Sequence, residues 1–127
     1  MGKTTYLLIL IILTSFLVSS QNLPIERNQK LNDSLRQILK SSQFKKLTFS
    51  KLYFAQNNYD KLNKELRTAY TNELLGRKDL MEIDSLRAEA YYKIGGNLEY
   101  MGDDFPKAKY YLEQSLKLFT KLTASPI

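Results

Sequence analysis

The chain has 127 residues, 43% of them hydrophobic, and a formal charge of +6 from 19 basic and 13 acidic side chains, a length that suits one small domain. It has no cysteine, which excludes disulfides and thiolate metal sites, and no histidine, which removes the commonest general base, the usual zinc ligand and the ordinary pH switch. No glycine-rich phosphate loop or nucleophile elbow appears either, so no catalytic residue, metal or cofactor is expected.

Residues 1–20 differ from the rest. Lys3 supplies a short basic region, Tyr6 to Val18 is a mostly apolar run, and Ser19-Ser20 precede polar Gln21. Basic, apolar, then small is the order of a secretory signal peptide, with cleavage expected after Ser20. The run is shorter than the roughly 20 residues of a membrane span. An uncleaved anchor is the alternative. The cleaved protein is expected to be exported, periplasmic or extracellular, with no membrane association. The bases Lys45-Lys46, Lys61, Lys64, Arg77-Lys78, Lys107 and Lys109 are dispersed among acids. That pattern reads as a solvated surface, so nucleic acid is not an expected partner.

Residues 21–43 are expected to hold an N-terminal helix opened by Leu23-Pro24, since proline suits a first helical position. Leu31, Leu35, Ile38 and Leu39 form its apolar stripe, and Ser41-Ser42 ends it. Asn32-Asp33-Ser34 fits the N-glycosylation tripeptide. A second helix is expected from Phe44 to Gln56. Leu47, Phe49, Leu52, Tyr53 and Phe54 make it apolar around much of its circumference, as in a helix buried on several sides. Asn57-Asn58 breaks it. A third is expected from Tyr59 to Leu75, with Leu62, Leu66, Ala69, Tyr70 and Leu74 as its stripe and Gly76 as its C-terminal cap.

The fourth, from Asp79 to Met101, carries Leu80, Ile83, Ala90, Tyr91, Ile94, Leu98 and Met101 at helical spacing. Gly95-Gly96 inside it costs about 1 kcal/mol per glycine, a cost that close approach of a neighbouring helix would offset. Gly102 closes the helix. The fifth, from Phe105 to Leu122, starts with Pro106 and carries Ala108, Tyr111, Leu112, Ser115, Leu116, Phe119 and Leu122. Residues 123–127 are a tail. Asp103-Asp104, before a helix start, reads as capping rather than a catalytic carboxylate pair. No segment alternates like a strand, so the fold class is all-α.

Tyr91, Ile94, Gly95 and Leu98, then the turn Gly102-Asp103 followed by Phe105, then Ala108, Leu112 and Ser115, resemble a tetratricopeptide repeat. Asp104 is one residue extra in the turn, and no proline stands at the family's closing position. A degenerate copy is matched by Phe49, Ser50 and Tyr53, the break Asn57-Asn58, Tyr59, and Leu62, Leu66 and Ala69, with Lys46 departing from the first aromatic position. The resemblance divides the chain into a possible decayed unit at 21–43, a degenerate hairpin at 44–78 and a hairpin at 79–122. Repeats of this elongated kind are similar to those of exported or membrane-tethered bacterial sensor regions.

What the resemblance implies is a short right-handed superhelix of stacked antiparallel hairpins, in an exported non-catalytic protein that binds a protein or peptide. The alternative is the N-terminal sensor fragment of a larger membrane-tethered bacterial regulator. The family's groove, carried over position by position, would present Phe44, Lys51 and Phe54 from the first hairpin. From the second it would present Glu89, Tyr92, Lys93, Gly96, Glu99 and Tyr100. The last helix lacks the polar outer face of a terminal cap, so self-association through it is expected if the chain ends at Ile127.

Overall fold

A computed structural model describes residues 27–124. The leader expected over 1–20, the helix start at Leu23-Pro24 and residues 125–127 lie outside the described residues. Among the described residues every regular element is helical: α1 (27–39), α2 (Phe49–Asn57), α3 (Lys64–Gly76), α4 (Lys78–Met81), α5 (Asp84–Met101) and α6 (Phe105–Thr123), with 3-10 turns at Phe44–Lys46 and Tyr59–Lys61. The fold is all-α, and no helix among these residues is long and apolar enough to cross a membrane.

The helix starts follow from local chemistry. The side chains of Thr48, Asn63 and Asp104 accept the backbone N–H of Lys51, Leu66 and Lys107, at 3.4, 3.1 and 3.1 Å. Each satisfies one of the N–H groups that a helix start leaves without a partner. Gly102 ends α5 in the left-handed region at φ 65°, where glycine alone pays no Cβ penalty.

The core joins α1, α2, α3 and α5. Leu35, Leu52, Leu66, Leu74 and Ile94 are buried together, with Leu31, Ile38 and Leu39 packed against them. Tyr70 is fully buried and donates its hydroxyl to the Leu35 carbonyl at 2.8 Å, tying α3 to α1. Burial alone pushes the Tyr70 phenol up to about 12. Asn32 clamps the same elements: its Nδ2 donates to the Lys61 carbonyl at 2.9 Å and its Oδ1 accepts the Asn63 N–H at 2.8 Å. The glycosylation tripeptide therefore places its asparagine in an internal bridge.

Four expectations are corrected. Tyr59–Lys61 is a 3-10 turn, and α3 begins only at Lys64, because the Asn63 cap sits there. The fourth helix is broken: Ile83 is extended at ψ 111°, and Arg87 donates to the Met81 carbonyl at 3.0 Å, capping α4 from within α5. Gly76 is no left-handed cap. It is the last residue of α3, and the chain turns at Arg77, which donates to the Leu47 carbonyl at 2.7 Å and grips Asp79 through two nitrogens. Phe44 lies in the core, edge-to-face on Tyr70 at 5.2 Å, because the 3-10 turn directs it inward.

α5 runs in the same direction as α2. Tyr53 stands beside Glu89 and Tyr92, Gln56 bonds Asn97, and the Tyr59 hydroxyl donates to Asp103 at 3.3 Å, so the pairings advance together. α5 also touches α3. Gln56 is buried and fully engaged: its Nε2 donates to Thr71 at 2.9 Å, while its Oε1 and carbonyl accept from Asn97 at 3.1 and 2.9 Å. These bonds fix the register of α2, α3 and α5, since a shift by one residue would leave the buried amide unsatisfied.

Candidate functional site

α5 and α6 form an antiparallel hairpin whose pairings descend on one helix as they ascend on the other. Asp84 accepts from Lys121 at 2.9 Å, Ser115 donates to the Ala88 carbonyl at 2.9 Å, and Tyr91 meets Tyr111 at 5.2 Å. The closest approach lies at Gly95. A Cβ placed there would stand 2.8 Å from Cγ of Leu112 and 3.1 Å from the Ala108 carbonyl oxygen, closer than atoms pack without displacement. The neighbouring glycine differs: a Cβ on Gly96 would meet nothing within 4 Å. Close packing therefore explains Gly95 and leaves Gly96 as an open spot on the surface.

That spot lies in a groove. Three adjoining hollows run along one side of the hairpin, and Leu112 borders all of them. Tyr92, Gly96 and Glu99 line it from α5; Phe105, Leu112, Leu116 and Phe119 line it from α6. Phe105, Leu116 and Phe119 are 63%, 67% and 37% exposed, and Tyr92 60%. Adjoining exposed apolar side chains of this kind make the groove a candidate interaction site. Its charges come in both signs: Lys93 and Glu99 on α5, and on α6 Lys109 and Glu113, 3.8 Å apart.

The arrangement has a precedent inside the molecule. α2 carries the row Phe49, Tyr53 and Gln56, spaced four and three residues apart; Tyr53 and Gln56 face α5, and Phe49 stacks on Tyr53 at 5.5 Å. On α5 the row with that spacing is Tyr92, Gly96 and Glu99, and it lines the groove. The first row carries a helix, α5 itself, which brings Asn97 to Gln56 and sets Glu89 and Tyr92 beside Tyr53. Among the described residues no helix lies on the second.

The groove positions carried over from the sequence separate into groups. Tyr92, Lys93, Gly96, Glu99 and Tyr100 come together on α5 beside Leu112. Glu89 is exposed next to Tyr53, whose hydroxyl is held above its ordinary pKa first by burial and then by Glu89 and Tyr92. Lys51 and Phe54 line a different cleft, between α1 and α2, with Ser50, Leu31 and Ile38. Phe44 is in the core. Ser50, matched by sequence to Gly95, is exposed, and the buried residues of α2 are Leu52, Ala55 and Gln56. The α2 register is shifted because Thr48 caps the helix and Phe49 is its first residue. Leu62 and Leu66 are buried, and Ala69, Tyr91, Leu98 and Leu112 are half-buried.

The α6 wall, Phe105, Leu116 and Phe119, was not among the carried-over groove positions. The signal for it was present, since α6 has more apolar residues than one packing face needs, while only Ala108 and Ser115 are buried. No group of three or more acidic, histidine or cysteine side chains able to hold a metal ion occurs among the described residues. No family model matches the chain, and neither a curated protein nor a solved structure does.

Proposed function

We propose that this is an exported, non-catalytic helical-repeat protein of tetratricopeptide type, and that the groove along α5 and α6 binds an amphipathic helix of a protein or peptide partner. The observation that carries the reading is the repeated row. Tyr92, Gly96 and Glu99 stand on α5 in the spacing of Phe49, Tyr53 and Gln56 on α2, a row whose Tyr53 and Gln56 face α5. A helix fits such a groove through residues at i, i+4 and i+7, the spacing of Ala90, Ile94 and Asn97. The parallel course of α2 and α5, and the tight contact at Gly95, support a stacked-hairpin arrangement, in which each hairpin leaves one face for the next.

The test is a selection of displayed random peptides against the purified protein, followed by binding to Leu116→Glu and Tyr92→Ala variants. Selected sequences are expected to carry apolar residues at helical spacing and to lose binding by tenfold or more to Leu116→Glu. Both side chains are largely exposed, so the fold should tolerate the changes. Peptides that bind both variants as well as the parent would refute the groove.

A further inference from the structure

The apolar strip on α6 has a regular spacing about its own midpoint. Phe105, Leu112 and Phe119 recur every seven residues, two helical turns or about 10.5 Å apart, with Leu116 beside Leu112. We infer that the occupant of the groove is a second copy of this chain, its α6 lying antiparallel across the α5–α6 hairpin of the first. The inference rests on the reading of that hairpin as a helix-receiving groove.

Three features favour a second copy. First, a two-fold axis through Leu112 places Leu112 on its own mate and Phe105 opposite Phe119 of the second copy, so the bulky residues meet in both halves. Second, the charges suit a self-pairing. α6 carries four lysines and one glutamate, a balance that would repel another α6 if spread evenly. Lys117 and Lys121 instead line the opposite edge of the hairpin, with Tyr91 and Tyr110, and Lys109, which borders the strip, stands next to Glu113. The same axis brings Lys109 of one copy near Glu113 of the other, twice per dimer. An acidic partner would call for an uncompensated basic rim, which the strip does not have.

Third, the size is adequate. A face two helices wide and one α6 long has a flat footprint of roughly 28 by 20 Å. That exceeds the ~400 Å² a side of fortuitous contacts and falls short of the ~800 Å² of standard stable complexes. A reversible, concentration-dependent dimer is the consequence.

The test is sedimentation equilibrium on protein expressed from the full-length reading frame and purified as the cell leaves it. The loading range, about 1 to about 500 µM, brackets a contact of this size. The mass is expected to rise toward two copies, and Leu116→Glu to weaken the dimer by tenfold or more. Lys109→Glu and Glu113→Lys should each weaken self-association several-fold, while an equimolar mixture of the two variants should associate more tightly than either alone. A change in monomer folding cannot produce that recovery. A chain that stays monomeric throughout overturns the inference, as does a mixture no tighter than its components. If the chain is monomeric and selected peptides still require Leu116, the second copy is wrong and the groove stands. If the dimer forms and ignores Leu116, this interface is wrong.

Discussion

The two halves of the molecule use the same helical material differently. In α1 to α3 the large residues face one another: Leu52, Leu66, Tyr70 and Leu74 are at most 1% exposed, and polar groups such as Gln56 and Asn32 are locked in bonds between elements. In the α5–α6 hairpin the helices meet over small residues, Gly95, Ala108 and Ser115, and several large ones, Tyr92, Phe105, Leu116 and Phe119, stand on the outside. The lesson is geometric. A helix pair that closes on small residues has little interior of its own, so its bulky side chains remain available to something else.

Substitutions should separate the halves. Leu52→Ala empties a fully enclosed site and is expected to cost about 2–5 kcal/mol in urea unfolding. Leu116→Ala, on the open strip, should stay within about 0.5 kcal/mol. Equal losses at the two sites, at concentrations where the chain is monomeric, would mean that α6 is covered within the same chain.

Alkali should strike the enclosed half. Tyr70 has a folded-state pKa of about 12 against an unfolded value of 10.0, so its contribution is intact below pH 10 and is lost as pH rises from 10 to 12. Two pH units correspond to about 2–3 kcal/mol. Tyr53, Tyr59 and Tyr111 are also raised by burial and act in the same direction. Denaturant unfolding at pH 9 and pH 12 measures the fall, and Tyr70→Phe should show a smaller one. A Tyr70→Phe protein that is equally alkali-sensitive would count against this assignment.

The adjacent glycines sharpen the contrast within one turn of helix. Gly95→Ala forces a methyl group against Leu112 and the Ala108 carbonyl, and is expected to cost about 1–3 kcal/mol. Gly96→Ala meets open space and should gain up to about 1 kcal/mol from helix propensity. Opposite signs at neighbouring positions, read as shifts in thermal midpoint, are the expected outcome. If both changes stabilise, the hairpin is looser than described.

Much of this was legible in the sequence. Helical periodicity gave the all-α class, and Gly102, Asp104 and Pro106 marked the turn between α5 and α6. What escaped was decided by tertiary bonds. The break at Ile83 rests on Arg87 reaching back to Met81, and the inward turn of Phe44 rests on Tyr70. The α2 register was misread because Ser50 resembles a small packing residue, whereas the Thr48 cap sets the helix start and turns Leu52 inward. Gln56 gave no advance notice. A glutamine near the end of an apolar helix looks like surface until Asn97 and Thr71 are in place around it.

Hydrogen exchange with a selected peptide bound tests the central claim most directly, since it compares the two clefts in one experiment. Slowed exchange is expected over 92–99 and 105–119, with α1 and α2 unchanged. Protection centred on the cleft of Lys51 and Phe54 instead, with α6 unaffected, would contradict it.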